Sequence, residues 1–252
     1  MTSLSILIVV HNEEKQLESC LKTASFGDEL VVILDKCTDR SKKIAKQFTK
    51  RIFSGSWEIE GDRRNFGINK CRYEWILEID SDERISKKLA KEILKITKNS
   101  KNNWHLINVN NYFGNKIVKN GWGAYIGKSS YAGLFKKNTK IWGKQRVHPK
   151  IFLKGNQGQK LKNSIDHFYC KSVADLISKL NSYSTARSKD LREKPGKENL
   201  LINVRRIFSR FWKVYFLRKG YKEKNIGIVI ALVACLFPLI SYLKYKFDKK
   251  ND

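Results

Sequence analysis

The chain of 252 residues is short of acid, with 24 Asp and Glu against 51 Lys and Arg and a formal net charge of +27. So basic a surface seeks polyanions, whether nucleic acid, nucleotide phosphates or an anionic membrane face, and charge alone does not choose among them. Cysteine is sparse too. Cys20, Cys37, Cys71, Cys170 and Cys235 are scattered and odd in number, with no CxxC pair or Cys/His spacing. That argues against a zinc site and for reduced thiols in a cytosolic compartment. Internal repeats and low-complexity tracts are missing. The apolar run Ile6 to Val10 has no basic region before it, so it reads as a buried first strand rather than a signal core, and the bulk of the protein is expected inside the cell.

The chain is long enough for one large or two small domains. Over the first hundred residues strand and helix patterns alternate with short loops, which predicts an α/β fold with a mostly parallel sheet flanked by helices. Strands are expected at Leu4–Val10, Leu30–Leu34, Arg51–Phe53 and Trp75–Ile79, and helices at Glu14–Ala24, Ser41–Phe48 (capped by Thr38 and Asp39), Asp62–Asn69 and Arg84–Thr97. From Trp104 to Ile165 the texture turns to short β-like pieces: His105–Val109, Asn111–Phe113, Gly121–Tyr125, Tyr131–Phe135 and His148–Phe152. Ser172 to Asp175 forms a capping box, and the helix behind it runs to about Leu191. The domain plan is therefore an α/β domain over 1–170, a flanking helix over 171–195, and a basic amphipathic helix with a hydrophobic tail over 196–252.

In open α/β sheets ligands bind beyond the carboxyl ends of the strands. His11-Asn12-Glu13-Glu14 follows the first strand, Asp35-Lys36-Cys37-Thr38-Asp39-Arg40 the second, and Asp80-Ser81-Asp82-Glu83 the later one. Acidic and amide groups after all three strands would line a single crevice. Side chains alternate along extended backbone, so Asp80 and Asp82 are expected to project to the same side at the strand's carboxyl end, where hard carboxylate oxygens suit Mg²⁺ or Mn²⁺ on a diphosphate. The competing reading makes Ser81 and Asp82 caps of the following helix.

At these positions the chain resembles the family 2 glycosyltransferases of GT-A fold, and more closely the lipopolysaccharide core β-1,4-glucosyltransferase branch. The resemblance is carried by Asn12-Glu13-Glu14, Asp35 with Thr38-Asp39-Arg40, Arg64-Asn65-Phe66, Asp80-Ser81-Asp82-Glu83-Arg84, Gly121-Trp122, Val147-His148, His167-Phe168-Tyr169 and Lys179-Leu180-Asn181, over roughly 3–185. It implies a nucleotide-sugar-binding fold and donor, with Asn12, Glu13 and Asp35 on the donor side, the latter two near base and ribose. Arg64 would lie near the diphosphate, Asp80 near ribose or sugar and Asp82 on the metal. Without the family, Arg63-Arg64 reads equally as a solvated pair at a helix start. Inversion needs a base for the acceptor proton. The branch shows Val-His-Glu where this chain has Val147-His148-Pro149, so His148, Asp166 or Glu83 would have to serve. Trp104, Tyr112, Trp122, Tyr125, Tyr131 and Trp142 are candidates for stacking on an acceptor sugar, with core packing the plainer use.

In the tail, Leu200, Leu201, Val204, Ile207, Phe208, Phe211, Val214 and Tyr215 are assigned to one apolar helical face among arginines, and Ile226 to Leu243 holds no charge. A helix of that length rises about 27 Å, close to the hydrocarbon thickness of a bilayer. Together these predict a C-terminal helical membrane-associating tail on an anionic leaflet, placing the enzyme on the cytoplasmic face of the inner membrane, peripherally or through one anchor. The expected reaction is metal-dependent transfer of a hexose to a lipid-linked or lipopolysaccharide-type glycan. Rival readings are a nucleic-acid-binding protein, for which no recognition motif is present, a nucleotidyltransferase, whose glycine-rich first loop is missing, and a non-catalytic family member.

Overall fold

The computed structural model of the protein describes residues 4–122, 127–147, 149–193 and 198–248. Its strands are β1 (Leu4–Val10), β2 (Glu29–Asp35), β3 (Ile52–Gly55), β4 (Trp75–Asp80), β5 (Glu83–Arg84), β6 (Trp104–Phe113), β7 (Lys116–Val118), β8 (Ser130–Lys136), β9 (Lys140–Trp142), β10 (Ile151–Leu153) and β11 (Ser164–Cys170). The helices are α1 (Leu17–Ala24), α2 (Ser41–Ala45), α3 (Glu60–Lys70), α4 (Lys87–Asn99), α5 (Val173–Glu193), α6 (Leu200–Trp212) and α7 (Lys224–Phe247). The chain divides into two compact units, Met1–Asn110 with Ser130–His167, and Asn111–Ser129 with Phe168–Asp252. The expected boundary near 170 lies close to the last of these breaks, while 111–129 joins the second unit.

The main sheet runs β3-β2-β1-β4-β8-β6-β11-β5. Strands β3, β2, β1 and β4 are parallel, and β8 joins β4 antiparallel. Strand β1 is buried along its whole length and, Ser5 apart, is apolar on both faces. Leu4, Ile6, Ile8 and Val10 face a core shared with Leu17, Cys20 and Leu21 of α1 and Leu89, Ile93 and Ile96 of α4. Leu7 and Val9 face the other side, with Ile68 of α3 and Phe135. The chain leaves β1 for β2 on one side and returns to β4 on the other, so the strand order reverses at β1, the kind of switch point beyond whose carboxyl end open α/β sheets bind ligands.

Several boundaries moved for local reasons. Helix α1 starts at Leu17 rather than Glu14: Asn12 sits at a left-handed φ of 53°, and the Glu13 carbonyl accepts from both Gln16 and Leu17 N–H, closing a turn first. Helix α4 starts at Lys87, not Arg84, and its cap is Ser86, whose hydroxyl accepts the Leu89 N–H at 3.1 Å. Ser81 and Asp82 therefore cap nothing; Glu83 and Arg84 instead form β5, antiparallel to His167 and Asp166. The two pieces expected around residue 110 are one strand, β6. Its amide-rich stretch stays extended because Asn108 donates to the Leu161 carbonyl and Asn110 to the Asp166 carboxylate, both in the first unit. The strands expected at 121–125 and 148–152 fall partly on residues outside the described set; Gly121 and Trp122 lie in a bend and turn, and β10 begins at Ile151.

Helix α3 approaches β9 closely because Gly61 has no side chain. A Cβ there would run into the Gly143 carbonyl oxygen. Gly61→Ala is expected to destabilise the first unit by about 1–3 kcal/mol, since backbone rather than a flexible side chain must give way. Denaturant titration measures the loss.

In the second unit the capping box forms, with Asp175 N–H donating to Ser172 Oγ at 3.2 Å. Asn199 caps α6 through Ile202 N–H at 2.8 Å. The helix continues as a π-helical turn over Lys213–Leu217. Helix α7 carries Pro238 in its interior and buries Ile230, Ala231 and Ala234 in a cluster with Leu176 and Leu180 of α5. Helical residues Gly220–Phe247, which include an 18-residue window of mean hydropathy 2.6, are long and apolar enough to cross a membrane.

Candidate active site

The parallel strands of the first unit end on Val10, Asp35, Gly55 and Asp80, which brings the expected donor-side residues to one edge of the sheet. Asn12 links the first two loops, its Oδ1 accepting the Thr38 N–H at 2.8 Å. Glu13 is half-buried; its N–H donates to Ser41 Oγ and its carboxylate accepts from Gln16 at 2.6 Å. Glu14 accepts from the Arg40 N–H at 3.1 Å, and that bond with the guanidinium beside it holds its carboxyl below the usual range. Asn12 and Glu14 thus work mainly as clasps between loops.

Asp35 closes β2 and is buried. Its oxygens accept from the Trp57 N–H at 3.0 Å and from Arg63 Nη1 at 2.8 Å. Arg64, one residue on, holds a different set. Its Nε reaches Glu60 at 2.8 Å, Nη1 reaches Glu78 at 2.9 Å and Nη2 reaches Asp80 at 2.8 Å, with the guanidinium over the Trp142 ring. Burial alone would weaken its hold on the proton, but Asp80, Glu60 and Glu78 outweigh that and raise its pKa further. Helix α3 thus delivers two adjacent arginines to two strand-end aspartates, neither of them solvated as the plain reading had it.

Beneath this lies a buried pair. Glu78 on β4 and Lys140 on β9 meet at 2.8 Å, both essentially without solvent access, and Trp142 Nε1 donates to the same Glu78 oxygen at 3.1 Å. Burial pushes the Glu78 carboxyl up, yet Lys140 and Arg64 override it and hold the group ionised below its ordinary value. Sequence reading overlooked both residues. The available signal was Glu78 itself, a charge inside a strand whose other residues from Trp75 to Ile79 are apolar.

Strand β4 ends at Asp80, so Asp82 lies in a turn rather than on the strand, and the alternation argument does not relate the two side chains. Asp80 is tied to Arg64, while Asp82 Oδ2 lies 3.3 Å from His167 Nε2. The turn is held by Glu83, whose buried carboxylate accepts from the Asp80 N–H at 3.0 Å and from Tyr131 OH at 3.0 Å. Burial, then Glu83 and Asp80, push the Tyr131 phenol pKa well up, so it stays a donor. Glu83 thereby supports the turn. Asp166 accepts from Asn110 at 3.0 Å and neighbours His167 on β11, so the two side chains face opposite sides of the strand. His148 and Tyr125 lie outside the described residues.

Among the described residues no group of three or more His, Cys, Asp and Glu is arranged to hold a metal. Asp80 and Asp82, with side chains 26% and 15% exposed, nonetheless supply the hard oxygens that suit a cation completed by diphosphate and water. Of the aromatic candidates, Trp122 is core and donates to the Val118 carbonyl, Trp142 lies under Arg64, and Tyr112 stacks on Phe168.

A mixed α/β sheet with acid-bearing strand ends around a reversal of strand order is the GT-A architecture of glycosyltransferases. Its likeness to a solved structure is at the level of fold: S. aureus TarS 1-349 in complex with UDP superposes with a TM-score of 0.51 at 13% identity, covering 88% of this chain and 75% of that one. The pattern of glycosyl transferase family 2 matches residues 5–153, more than half of the chain, and the protein belongs to that family. It is 24% identical over 257 residues to the lipopolysaccharide core biosynthesis glycosyltransferase LpsC of Rhizobium meliloti (strain 1021), covering 96% of this chain and 91% of LpsC. An uncharacterized glycosyltransferase of Rickettsia bellii (strain RML369-C) is 22% identical over 246 residues, covering 91% of this chain and 81% of the relative.

Proposed function

We propose that this glycosyltransferase moves a hexose from a nucleotide-sugar donor to a lipid-linked or lipopolysaccharide-type glycan, inverting the anomeric carbon, at the cytoplasmic face of the inner membrane. The observation that carries the reading is the gathering of Asp35, Arg63, Arg64 and Asp80 at one sheet edge, with Asp82 in the turn that follows. The name of the Rhizobium relative supports the acceptor class, and the UDP held by TarS supports a nucleoside diphosphate donor. Asp35 and Glu13 take the base and ribose side, through charge-assisted hydrogen bonds to hydroxyls. Arg64 fixes Asp80, and Asp80 with Asp82 would hold Mn²⁺ or Mg²⁺. When bound, such a cation neutralises charge on the departing diphosphate.

The acceptor hydroxyl oxygen attacks the anomeric carbon while the bond to the diphosphate breaks, and the diphosphate leaves with the electron pair. The hydroxyl proton passes to His148 or to Asp166, whose Oδ1 accepts from Asn110 at 3.0 Å. A non-catalytic binding role is the second reading, favoured by Pro149 standing where the resembled branch has a carboxylate. Release of nucleoside diphosphate on incubation with acceptor decides against it.

Thermal-shift screening of nucleotide sugars with and without Mn²⁺ tests the donor reading. A ligand at about 100 times its Kd adds about 2.7 kcal/mol of stability, a rise of several degrees in Tm. The matching donor should raise Tm, and more so with Mn²⁺. No shift with any nucleotide sugar, with or without the ion, would overturn the assignment.

A further inference from the structure

In the second unit, the residues of α6 and the π-helical turn split into two sides. Asn203 and Val214 are buried, and Phe211 and Tyr215 pack against the cluster around α7. The sequence pattern places Leu200, Leu201, Val204, Ile207, Phe208, Phe211, Val214 and Tyr215 on one face; the structure turns Leu200, Val204 and Phe208 away from Phe211, Val214 and Tyr215. Facing outward is a row at every fourth residue: Leu200, Val204, Phe208, Trp212 and Phe216, all exposed, with Phe208 at 71% and Trp212 at 56%. The adjoining row reads Leu201, Arg205, Ser209, Lys213 and Leu217, again exposed throughout. Eighteen helical residues make this stripe about 27 Å long.

We propose that this outward face docks in the plane of a membrane, with an anionic lipid leaflet as its partner. The inference rests on the membrane location proposed above and specifies its element and depth. So long a row of large apolar side chains is out of keeping with a surface facing only water. Charge selects lipid as the occupant. The stretch 198–224 contains two acids, and both are engaged: Glu198 by Arg206 at 2.6 Å, and Glu223 by the Lys119 and Asn120 N–H groups at 3.0 and 2.9 Å. Arg205, Lys213, Lys219, Lys222 and Lys224 are exposed around the apolar row. A leaflet offers acyl chains to the row and headgroup phosphates to its flanks, and Phe and Trp suit the boundary between them. Helix α7 then acts chiefly as backing, because its Ile230, Ala231 and Ala234 side is already covered within the unit.

Flotation of the full chain with vesicles tests this. Wild type should partition onto phosphatidylglycerol/phosphatidylethanolamine vesicles far better than onto phosphatidylcholine. Phe208→Glu/Trp212→Glu should cut partitioning at least about 30-fold with an unchanged circular dichroism spectrum, whereas Leu232→Glu on the exposed side of α7 should change it less than about 3-fold. In wild type, lipids brominated near the headgroup should quench Trp212 more than lipids brominated at the chain ends, read as the difference from Trp212→Phe. If the α6 variant floats like wild type, if Leu232→Glu alone abolishes flotation, or if the α6 changes only dissociate a dimer, the docking face is wrong. If wild type fails to bind either vesicle, the membrane location falls with it, while the donor reading stands or falls on the thermal-shift result.

Discussion

Replacing Asp82 by asparagine is expected to lower transfer by at least about 10²-fold while moving Tm by no more than about 3 °C. The substitution keeps the shape of the side chain but removes the negative charge that an ion on the leaving diphosphate would need. Two explanations of a loss compete, because Asp82 also contacts His167 at 3.3 Å. In one, Asp82 holds the ion; in the other, it only orients the imidazole. His167→Gln separates them. If Asp82 holds the ion, Asp82→Asn abolishes the extra stabilisation that Mn²⁺ gives to the donor complex, and His167→Gln retains it. Equal behaviour of the two variants in that assay, or full activity of Asp82→Asn, removes Asp82 from the metal role.

The parts of the molecule legible in the sequence are those set by local pattern. Strand β1 announces itself through the apolar run Ile6 to Val10, and the observed span Leu4–Val10 matches the expected strand residue for residue. The strand-end acids were legible because β2 and β4 pass from apolar residues to Asp35 and Asp80 at their carboxyl ends, and Glu13-Glu14 follows shortly after β1. What local pattern cannot supply is pairing at a distance. Strand β5 is two residues long and exists only because β11, some eighty positions later, offers it a ladder. Lys140 becomes the partner of Glu78 across 62 positions, and nothing near Lys140 marks it among so many lysines. On α6 the apolar residues span more than one side, Leu200, Val204, Phe208 and Trp212 on one and Phe211 on another, so periodicity identifies a helix without deciding which side faces inward.

Lys140→Met is expected to destabilise the first unit by about 3–5 kcal/mol, because it strands the Glu78 carboxylate in a site with almost no solvent. At the size of this unit that corresponds to a fall in Tm on the order of 10 °C. Glu78→Leu should be comparably costly, since it strands Lys140 and takes one of three carboxylates from Arg64. The double variant Lys140→Met/Glu78→Leu should lose clearly less than the sum of the two, as both charges leave together and apolar side chains fill the space. Because the native Glu78 pKa is depressed, its stabilising contribution is complete above the ordinary glutamate range and is lost as pH falls through the lowered native value. Acid unfolding of the double variant should therefore be shallower than that of wild type. Activity supplies the independent readout. The double variant, though folded, leaves Arg64 held only by Glu60 and Asp80, so Asp80 is less firmly aimed and kcat should drop about 10-fold or more. Additive stability losses would show that Glu78 and Lys140 act independently, and an unchanged kcat would show that the buried pair does not position the strand-end aspartate.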